Sequence, residues 1–381
     1  MSFSYRTYEF APKEVIHISE DLISRARREH RFYDVAESTM LGLLSDLIPG
    51  SALASSFLEE WKRFEADEGG LNYGIYFLYP RTNHLVRFAP LYWHRLALLM
   101  RNTTLFLDPA MQYSWEEVRK CFDNVVVGIA GCSVGNSIAH ALVGDLRLGH
   151  LKIADPDCYY LHNANRVRLS HEDLGRNKSV VTAEQIHALD PYCALSVFSE
   201  GVHEHNVKDF IKGNTARDEP ESTVIVEETD SPDMKLFIRE QARSHRKPVV
   251  MVTDLGSAVQ RDVRRFDLIP DLPLTYGVSD QELYATRDAW RADLANKDRF
   301  FEFAFALAGT HHNRLPELKR IILKEQPPLF GCVPQLGSTA MMAGGVASEA
   351  VVRLVLGHAL CERLFINKHT GEVVAEGEIF V

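Results

Sequence analysis

Hydrophobic positions follow a helical period in the first third of the chain and a strand-like pattern after it. Over 35–47 and 53–66, apolar residues recur every three or four positions, which predicts two amphipathic helices. Between Ile75 and Phe88, two short β-prone segments flank a Pro-Arg-Thr-Asn turn and predict a hairpin. We therefore expect residues 1–120 to form a small α+β domain.

From residue 124 to 254, short and nearly continuous apolar runs alternate with helical segments. Five runs share this character: VVVGIA, HLKIAD, ALSVFS, TVIVEET and PVVMVT. Such strands are typical of a parallel sheet that helices cover on both faces. After them the sequence predicts a polar helical stretch over 280–307, a small-residue helix over 338–356 and a last hairpin at Thr370-Gly371. The expected fold class is α/β, with a Rossmann-like, doubly wound, mainly parallel sheet in a domain spanning 121–381.

Composition and charge narrow the class of protein. The chain is 46% hydrophobic and 25% charged, as expected of a folded protein with a full core. Its net charge of -10, without a long basic run, argues against a nucleic acid or a membrane as partner. No two of the six cysteines form C-x-x-C, so no zinc site of the usual spacing is predicted. Without a signal sequence or a long apolar run, the chain is expected to be cytoplasmic.

The first predicted strand of the α/β region ends in Gly131-Cys132-Ser133-Val134-Gly135, which two kinds of protein would use differently. As G-x-S-x-G it would be a nucleophile elbow, with Ser133 as nucleophile and residues such as Asp254 and His311 as its partners. As a glycine-rich loop it would bring backbone N–H groups to a phosphate. An elbow normally follows several strands of its sheet, so the position after the first strand favours nucleotide binding.

An acidic residue at the end of the second strand supports nucleotide binding. Asp155 lies 20 residues after Gly135, where a carboxylate binds a ribose hydroxyl in dinucleotide-binding βαβ units. A nicotinamide-dependent oxidoreductase would use Gly131, Gly135 and Asp155 in the same way. This spacing alone therefore leaves an oxidoreductase as an alternative.

Residues further along favour chemistry on a triphosphate. Asn163, Arg166 and Lys178 follow Asp155, and a fourth strand ends in Thr229-Asp230. Cations of this kind stabilise charge on a departing pyrophosphate. A carboxylate at the carboxyl edge of the sheet suits Mg²⁺. A dehydrogenase would not need these groups.

The segments GCSVGNS, IADPDCYYLHNANRVRLSHEDLGRNK and VIVEETDSPDMK together resemble the ThiF/MoeB-type adenylyltransferases, which share their fold with ubiquitin-activating enzymes. D-x-D, N-x-x-R, D-x-G-x-x-K and T-D occur in the order typical of that family. The resemblance covers about 124–254 and the helix after 334–337. It implies ATP- and Mg²⁺-dependent adenylation of a carboxylate, which gives an acyl adenylate that a nucleophile then attacks.

The resemblance also implies roles for individual residues. They are, in chain order, Gly131, Ser133 and Gly135 in the loop beside the phosphates, Asp155 on the ribose, Asn163 placing the phosphates, Arg166 and Lys178 binding phosphates and stabilising charge, and Asp230 orienting Mg²⁺. The loop is one residue shorter than the family's G-x-G-G-x-G. Members of the family also supply an arginine from an N-terminal segment, commonly across a dimer interface. Arg101 is the candidate for this arginine.

The sequence does not identify the substrate whose carboxylate would be activated. Relatives that activate ubiquitin-like sulfur carriers often have a C-x-x-C zinc pair, which is missing here. Relatives that modify ribosomally made peptides, as in microcin- and pantocin-type pathways, have an N-terminal peptide clamp that residues 1–120 would supply by adding a peptide strand to a sheet edge. We expect a homodimer that activates a peptide or small-protein carboxylate, followed by a step such as cyclisation or dehydration. A sulfur carrier, an acyl-accepting role for Cys332 and a non-catalytic binding module remain alternatives.

Overall fold

The computed structural model describes residues 6–7, 20–34, 75–79, 83–88, 124–146, 148–309 and 335–380. Contacts divide the chain into one compact unit of residues 1–5 and 10–115 and a second of residues 6–9 and 116–381. Several sequence predictions lie outside the described residues, namely the helices over 35–47 and 53–66, Arg101, His311 and Cys332.

The described elements comprise twelve strands and eight α-helices. The strands are β1 (Arg6–Thr7), β2 (Phe32–Asp34), β3 (Ile75–Tyr79), β4 (His84–Phe88), β5 (Val126–Ala130), β6 (His150–Ala154), β7 (Ala194–Phe198), β8 (Val224–Glu227), β9 (Val249–Leu255), β10 (Ala258–Arg264), β11 (Leu360–Asn367) and β12 (Glu372–Phe380). The helices are α1 (Glu20–Arg28), α2 (Val134–Leu146), α3 (Lys178–Leu189), α4 (Val207–Lys212), α5 (Pro232–Ser244), α6 (Asp280–Arg291), α7 (Lys297–Ala308) and α8 (Gly337–Leu356).

The N-terminal unit contains a three-stranded sheet in the order β2-β4-β3. The predicted hairpin is confirmed, because β3 and β4 pair in antiparallel register from Ile75↔Phe88 to Tyr79↔His84. Strand β2 pairs with β4 in parallel. Apolar residues of α1 and of the sheet, among them Ile23 and Leu85, form a small buried cluster.

The second unit contains a nine-stranded sheet in the order β1-β7-β6-β5-β8-β9-β10-β11-β12. The five predicted apolar runs are confirmed as β5 to β9, which pair in parallel with one another. Strands β10, β11 and β12 continue the sheet in antiparallel pairing. The connection order reverses between β5 and β8, and ligands of doubly wound sheets bind at the carboxyl ends of strands at such a reversal.

Helix α8 packs against α2 and against strands β9 and β10. It is long and apolar enough to cross a membrane by length and composition alone, but half of its most apolar window is buried inside this fold. Four alanines along it, from Ala340 to Ala350, are fully buried. Helix α8 is therefore a core helix of this unit.

The helical stretch predicted over 280–307 is confirmed, and the structure divides it into two helices, α6 and α7. Asn296 caps the second helix by accepting the backbone N–H of Arg299 with its side chain. Capping asparagines are favoured at helix starts because they satisfy an N–H group that has no partner within the helix. This cap begins a new helix inside the polar stretch.

Candidate functional site

The carboxyl ends of β5, β6 and β8 meet at one edge of the large sheet. The N–H of Gly131 donates to the carbonyl of Ala154 at 2.7 Å, and the N–H of Glu228 donates to the carbonyl of Ala130 at 2.7 Å. These bonds extend the pairing of the three strands into the segments that follow them. The glycine loop, the segment after Asp155 and the segment ending in Asp230 therefore start side by side.

The glycine loop needs its first glycine for steric reasons. Gly131 has φ of +99°, and a Cβ at this position would overlap the carbonyl group of Glu228. Gly135 lies in the first turn of α2, where a Cβ would come within 2.9 Å of the side chain of Ile129. Helix α2 begins at Val134, directly after this loop, so the positive end of its dipole lies at the edge where the three strands end.

Asp155 holds the glycine loop through its carboxylate. One oxygen, Oδ2, accepts the N–H of Cys132 at 2.6 Å, and Oδ1 accepts the N–H of Asp157 at 2.9 Å. Burial raises the pKa of Asp155, while Lys178 and the two N–H donors act to lower it. Because each carboxylate oxygen accepts more than one hydrogen bond, both oxygens keep capacity for a hydroxyl donor.

Lys178 begins helix α3 and lies buried at the same edge. Its Nζ is 3.0 Å from Oδ2 of Asp157 and 3.9 Å from Oδ1 of Asp155. Burial alone would lower the pKa of Lys178, but the carboxylates of Asp155, Asp157 and Asp230 raise it. Lys178 is therefore a cation at neutral pH, and it faces the exposed side chain of Asp157.

Arg166 connects the segment after β6 with the glycine loop. Its Nε donates to Oγ of Ser133 at 3.0 Å, and its Nη1 donates to the carbonyl of His162 at 3.1 Å. A guanidinium does not release a proton in proteins, so it cannot act as the general base that an elbow serine needs. This contact places Ser133 beside a candidate phosphate-binding cation, as the nucleotide interpretation expects.

Asn163 and Asp230 occupy different environments. Asn163 is buried, and its Oδ1 accepts the N–H of Tyr160 at 2.8 Å, which shapes the turn before Arg166. Asp230 is exposed, and its charge acts on both Lys178 and Glu228. No group of three metal-binding side chains occurs among the described residues.

The two glutamates before Asp230 differ in their partners. Glu227 is fully buried and lies 3.0 Å from Nζ of Lys235 and 3.1 Å from Nη2 of Arg239. Burial would raise its pKa, but these two cations hold the pKa below its usual value. The Oε1 of Glu228 accepts the N–H of Val252 at 2.6 Å, and burial raises its pKa to about 8. These contacts give both glutamates structural roles and leave Asp230 as the exposed carboxylate of the segment.

Sequence reasoning missed two residues that hold the site. Asn177 caps α3, and its Nδ2 donates to the carbonyls of Asp155 at 2.9 Å and Ser199 at 3.0 Å. The signal was present, because an asparagine directly before a helix is a common cap. The buried hydroxyl of Tyr159 donates to the carbonyl of Cys132 at 2.7 Å, and no sequence pattern indicates that contact.

Comparison with known proteins gives consistent results. The ThiF family matches residues 110–372 of this chain. An uncharacterised Mycobacterium tuberculosis protein, MT1398, is 32% identical over 279 residues, which are 72% of this chain and 36% of that protein. The chain thus spans about a third of the length of this relative.

Two solved structures are similar in fold. PaaA, in its selenomethionine form, has a TM-score of 0.50 and 13% identity, with 97% of this chain and 94% of that chain covered. Escherichia coli MccB has a TM-score of 0.47 and 14% identity, with 69% and 65% covered. MccB is a microcin C7 biosynthetic enzyme that has been crystallised with ATP and with N-formylated MccA. Since the family match covers more than half of its residues, the chain belongs to the ThiF family.

Proposed function

We propose that this protein uses ATP and Mg²⁺ to adenylate a carboxylate on a peptide or small protein. The observation that carries the proposal is the meeting of Lys178, Asp155 and Arg166 around the glycine loop at the reversal of strand order. An N-terminal helix dipole, two cations and a ribose-binding carboxylate at one sheet edge suit a nucleoside triphosphate. Membership of the ThiF family supports the same activity.

In the proposed reaction, a carboxylate oxygen of the substrate attacks the α-phosphorus of ATP. A carboxyl oxygen–phosphorus bond forms, and the bond from the α-phosphorus to the bridging oxygen of the β-phosphate breaks. Pyrophosphate leaves with that electron pair, and Lys178 and Arg166 stabilise its charge. Mg²⁺ bound near Asp230 would neutralise further phosphate charge.

A peptide substrate, a homodimer and a cytoplasmic location are further parts of the proposal. The three-stranded sheet supports a peptide, because β2 and β3 each pair with one strand only, β4, among the described residues. An extended peptide would add to such an edge through main-chain hydrogen bonds. A step after adenylation, such as cyclisation or dehydration, would consume the acyl adenylate.

Calorimetric titration of the full chain with ATP, with and without Mg²⁺, tests this function, with NADH as the comparator. We expect ATP to bind, Mg²⁺ to tighten it and NADH not to bind. Asp230→Asn should remove most of the tightening by Mg²⁺, whereas Asp271→Asn, which changes an exposed carboxylate in another loop, should not. When a peptide whose carboxylate the protein adenylates is present, labelled pyrophosphate should exchange into ATP.

Tight binding of NADH, with indifference to Asp230→Asn, would instead favour a nicotinamide-dependent oxidoreductase. Exchange that depends on a ubiquitin-like protein ending in Gly-Gly, and on no short peptide, would favour activation of a sulfur carrier. ATP binding without exchange for any carboxylate would favour a non-catalytic binding module.

A further inference from the structure

Two buried oxygen atoms next to the nucleotide edge have no hydrogen-bond partner among the described residues. One is Oδ2 of Asp254, near the carboxyl end of β9, and the other is Oε1 of Gln335, just before α8. The second carboxylate oxygen of Asp254 accepts only a long bond, from the N–H of Gly256 at 3.2 Å. Buried acceptors almost always have donors in native proteins, so each of these two oxygens could accept a hydrogen bond from a bound group.

Contacts among three segments bring these residues to the same part of the fold. Asn165 donates from Nδ2 to the carbonyl of Gln335 at 2.7 Å, and a Cβ on Gly337 would overlap the carbonyl of Asn165. Thr339, in the first turn of α8, donates from Oγ1 to the carbonyl of Gly256 at 2.5 Å. The turn after Asp254, the loop that carries Arg166 and the start of α8 are therefore packed together.

Charges around Asp254 restrict the kind of ligand. Burial raises the pKa of Asp254 to about 6, while the N–H of Gly256 and the charges of Lys368 and Arg166 act to lower it. Lys368 is itself held by the hydroxyls of Ser338 and Thr339. A metal ion or an ammonium group at Asp254 would meet the positive charges of Lys368 and Arg166. A neutral N–H donor would satisfy the acceptors without that repulsion.

Arg166 interacts with both Asp254 and the glycine loop, where the nucleotide is proposed to bind. Its guanidinium donates to Ser133 of the glycine loop, and its charge acts on Asp254. A group bound at Asp254 would thus lie within the electrostatic reach of the same guanidinium that contacts the loop. In an acyl adenylate, the acyl group is joined to the α-phosphate and must lie next to the phosphate-binding groups.

We propose that Oδ2 of Asp254 and Oε1 of Gln335 form a subsite that accepts hydrogen bonds from a neutral amide N–H on the acyl group of the adenylate. The subsite rests on the proposed adenylation and would select among carboxylates. The amide belongs either to the backbone of the residue that carries the activated carboxylate or to its side chain. In both cases a carboxylate without a nearby amide would be a poorer substrate.

Stable acyl-sulfamoyl adenosines are the probes for this subsite, and calorimetry on the full chain is the measurement. The first pair is N-acetylglycyl-sulfamoyl adenosine and its acetoxyacetyl counterpart, in which an ester oxygen replaces the backbone N–H. The second pair carries N-acetylasparaginyl and N-acetylleucyl groups, which differ in the side-chain amide. At least one amide-bearing probe should bind about tenfold more tightly than its match, as expected of a hydrogen bond to a charged group. The pair that is discriminated identifies the source of the N–H.

Asp254→Ala and Gln335→Met should each reduce this preference to about twofold, and both variants should still bind ATP. Asp271→Ala, at an exposed carboxylate outside the cluster, should retain the full preference. ATP binding also checks that each variant is folded. If Asp254→Ala does not bind ATP, the probe preference of Gln335→Met tests the subsite.

Equal binding of both members of each pair to the unmodified protein would overturn the subsite, as would a preference that survives both substitutions. If the unmodified protein bound ATP but none of the four probes, the subsite would also be overturned. Failure to bind ATP at all would refute the proposed function, and the subsite with it.

Discussion

Two buried lysines of the large sheet unit, Lys152 and Lys178, differ in how fully their hydrogen bonds are used. Nζ of Lys152 is 3.0 Å from Glu219 and donates to the carbonyls of Asp209 at 2.8 Å and Phe210 at 3.0 Å. Among the described residues, Lys178 donates only to Asp157, at 3.0 Å. An ammonium has three N–H donors, so Lys152 is satisfied within the fold and Lys178 keeps donors for a ligand.

The carboxylate partners differ in the same way. The side chain of Glu219 is 4% exposed, whereas the side chain of Asp157 is 61% exposed. A ligand would therefore reach Lys178 from the side of Asp157, while nothing from solvent reaches Lys152. Burial of a lysine alone does not separate structure from function, and the remaining donor capacity of its ammonium does.

Two serines, Ser196 and Ser133, show the same difference between a buried structural contact and a contact at the candidate site. Ser196 donates from Oγ to Glu219 at 2.8 Å and lies 2.7 Å from Nε2 of His150, so the residue types of a hydrolase triad are together. All three residues are buried, and the hydroxyl of Ser196 contacts both of the other side chains. Ser133, which the G-x-S-x-G pattern indicated as a nucleophile, contacts Arg166 instead. The pattern and the triad-like geometry thus fall on different serines, and neither forms an open hydrolase site.

The largest effect is expected from removing the satisfied cation. Lys152→Met should lower the free energy of unfolding by about 3–5 kcal/mol, because Glu219 is left as a buried charge without its partner. Chemical denaturation followed by circular dichroism measures this change. Lys152→Met combined with Glu219→Gln should recover much of the loss. If Lys152→Met lowered the free energy of unfolding by less than about 1 kcal/mol, the buried contacts of Lys152 would not be stabilising the fold.

The same substitution at the other lysine should affect binding more than stability. Lys178→Met should weaken ATP binding about 100-fold, the cost of removing a charged hydrogen bond to phosphate. The free energy of unfolding should change by only about 1 kcal/mol, because Asp157 is solvated and the buried Asp155 keeps the N–H donors of Cys132 and Asp157. Calorimetry and denaturation of one preparation give both numbers. ATP affinity equal to that of the unmodified protein would refute the functional assignment of Lys178.

The two adjacent glutamates predict opposite responses to substitution. The pKa of Glu228 is raised from 4.5 to about 8, so Glu228 is protonated in the folded chain and ionised in the unfolded chain between these values. Its stabilising contribution is full below pH 4.5 and is lost as the pH rises towards about 8. Between about pH 6 and 7.5, titration of Glu228 should lower the free energy of unfolding of the unmodified protein by about 2 kcal/mol. The Glu228→Gln variant should lack this decrease.

Thermal unfolding at several pH values measures the contribution of Glu228. Glu227→Gln is the matched control, because the pKa of Glu227 is lowered by Lys235 and Arg239 despite burial. It should destabilise the protein at neutral pH, where the ionised carboxylate is bonded to both cations. A Glu228→Gln variant with the pH profile of the unmodified protein would show that Glu228 is ionised in the fold.

The sequence predicted the parallel strands and the glycine loop because both depend on local patterns. Continuous apolar runs specify buried strands, and Gly131 is required where the loop passes against Glu228. The sequence did not predict the contact of Tyr159 with Cys132 or the orphan oxygens of Asp254 and Gln335. These depend on which loops meet in three dimensions, and residues far apart in sequence set that meeting.

The smallest predicted effect concerns Ser133 and separates the two interpretations of its loop. Its hydroxyl accepts one hydrogen bond from Nε of Arg166 at 3.0 Å, so Ser133→Ala should weaken ATP binding only about fivefold, as expected of one hydrogen bond. Ser133→Gly, which introduces the residue more usual in the family, should bind ATP within the same range. Pyrophosphate exchange should persist in both variants, because the serine forms no bond to the substrate. A nucleophilic serine would instead require that both variants lose all turnover while still binding ATP, and that result would return the G-x-S-x-G pattern to its hydrolase interpretation.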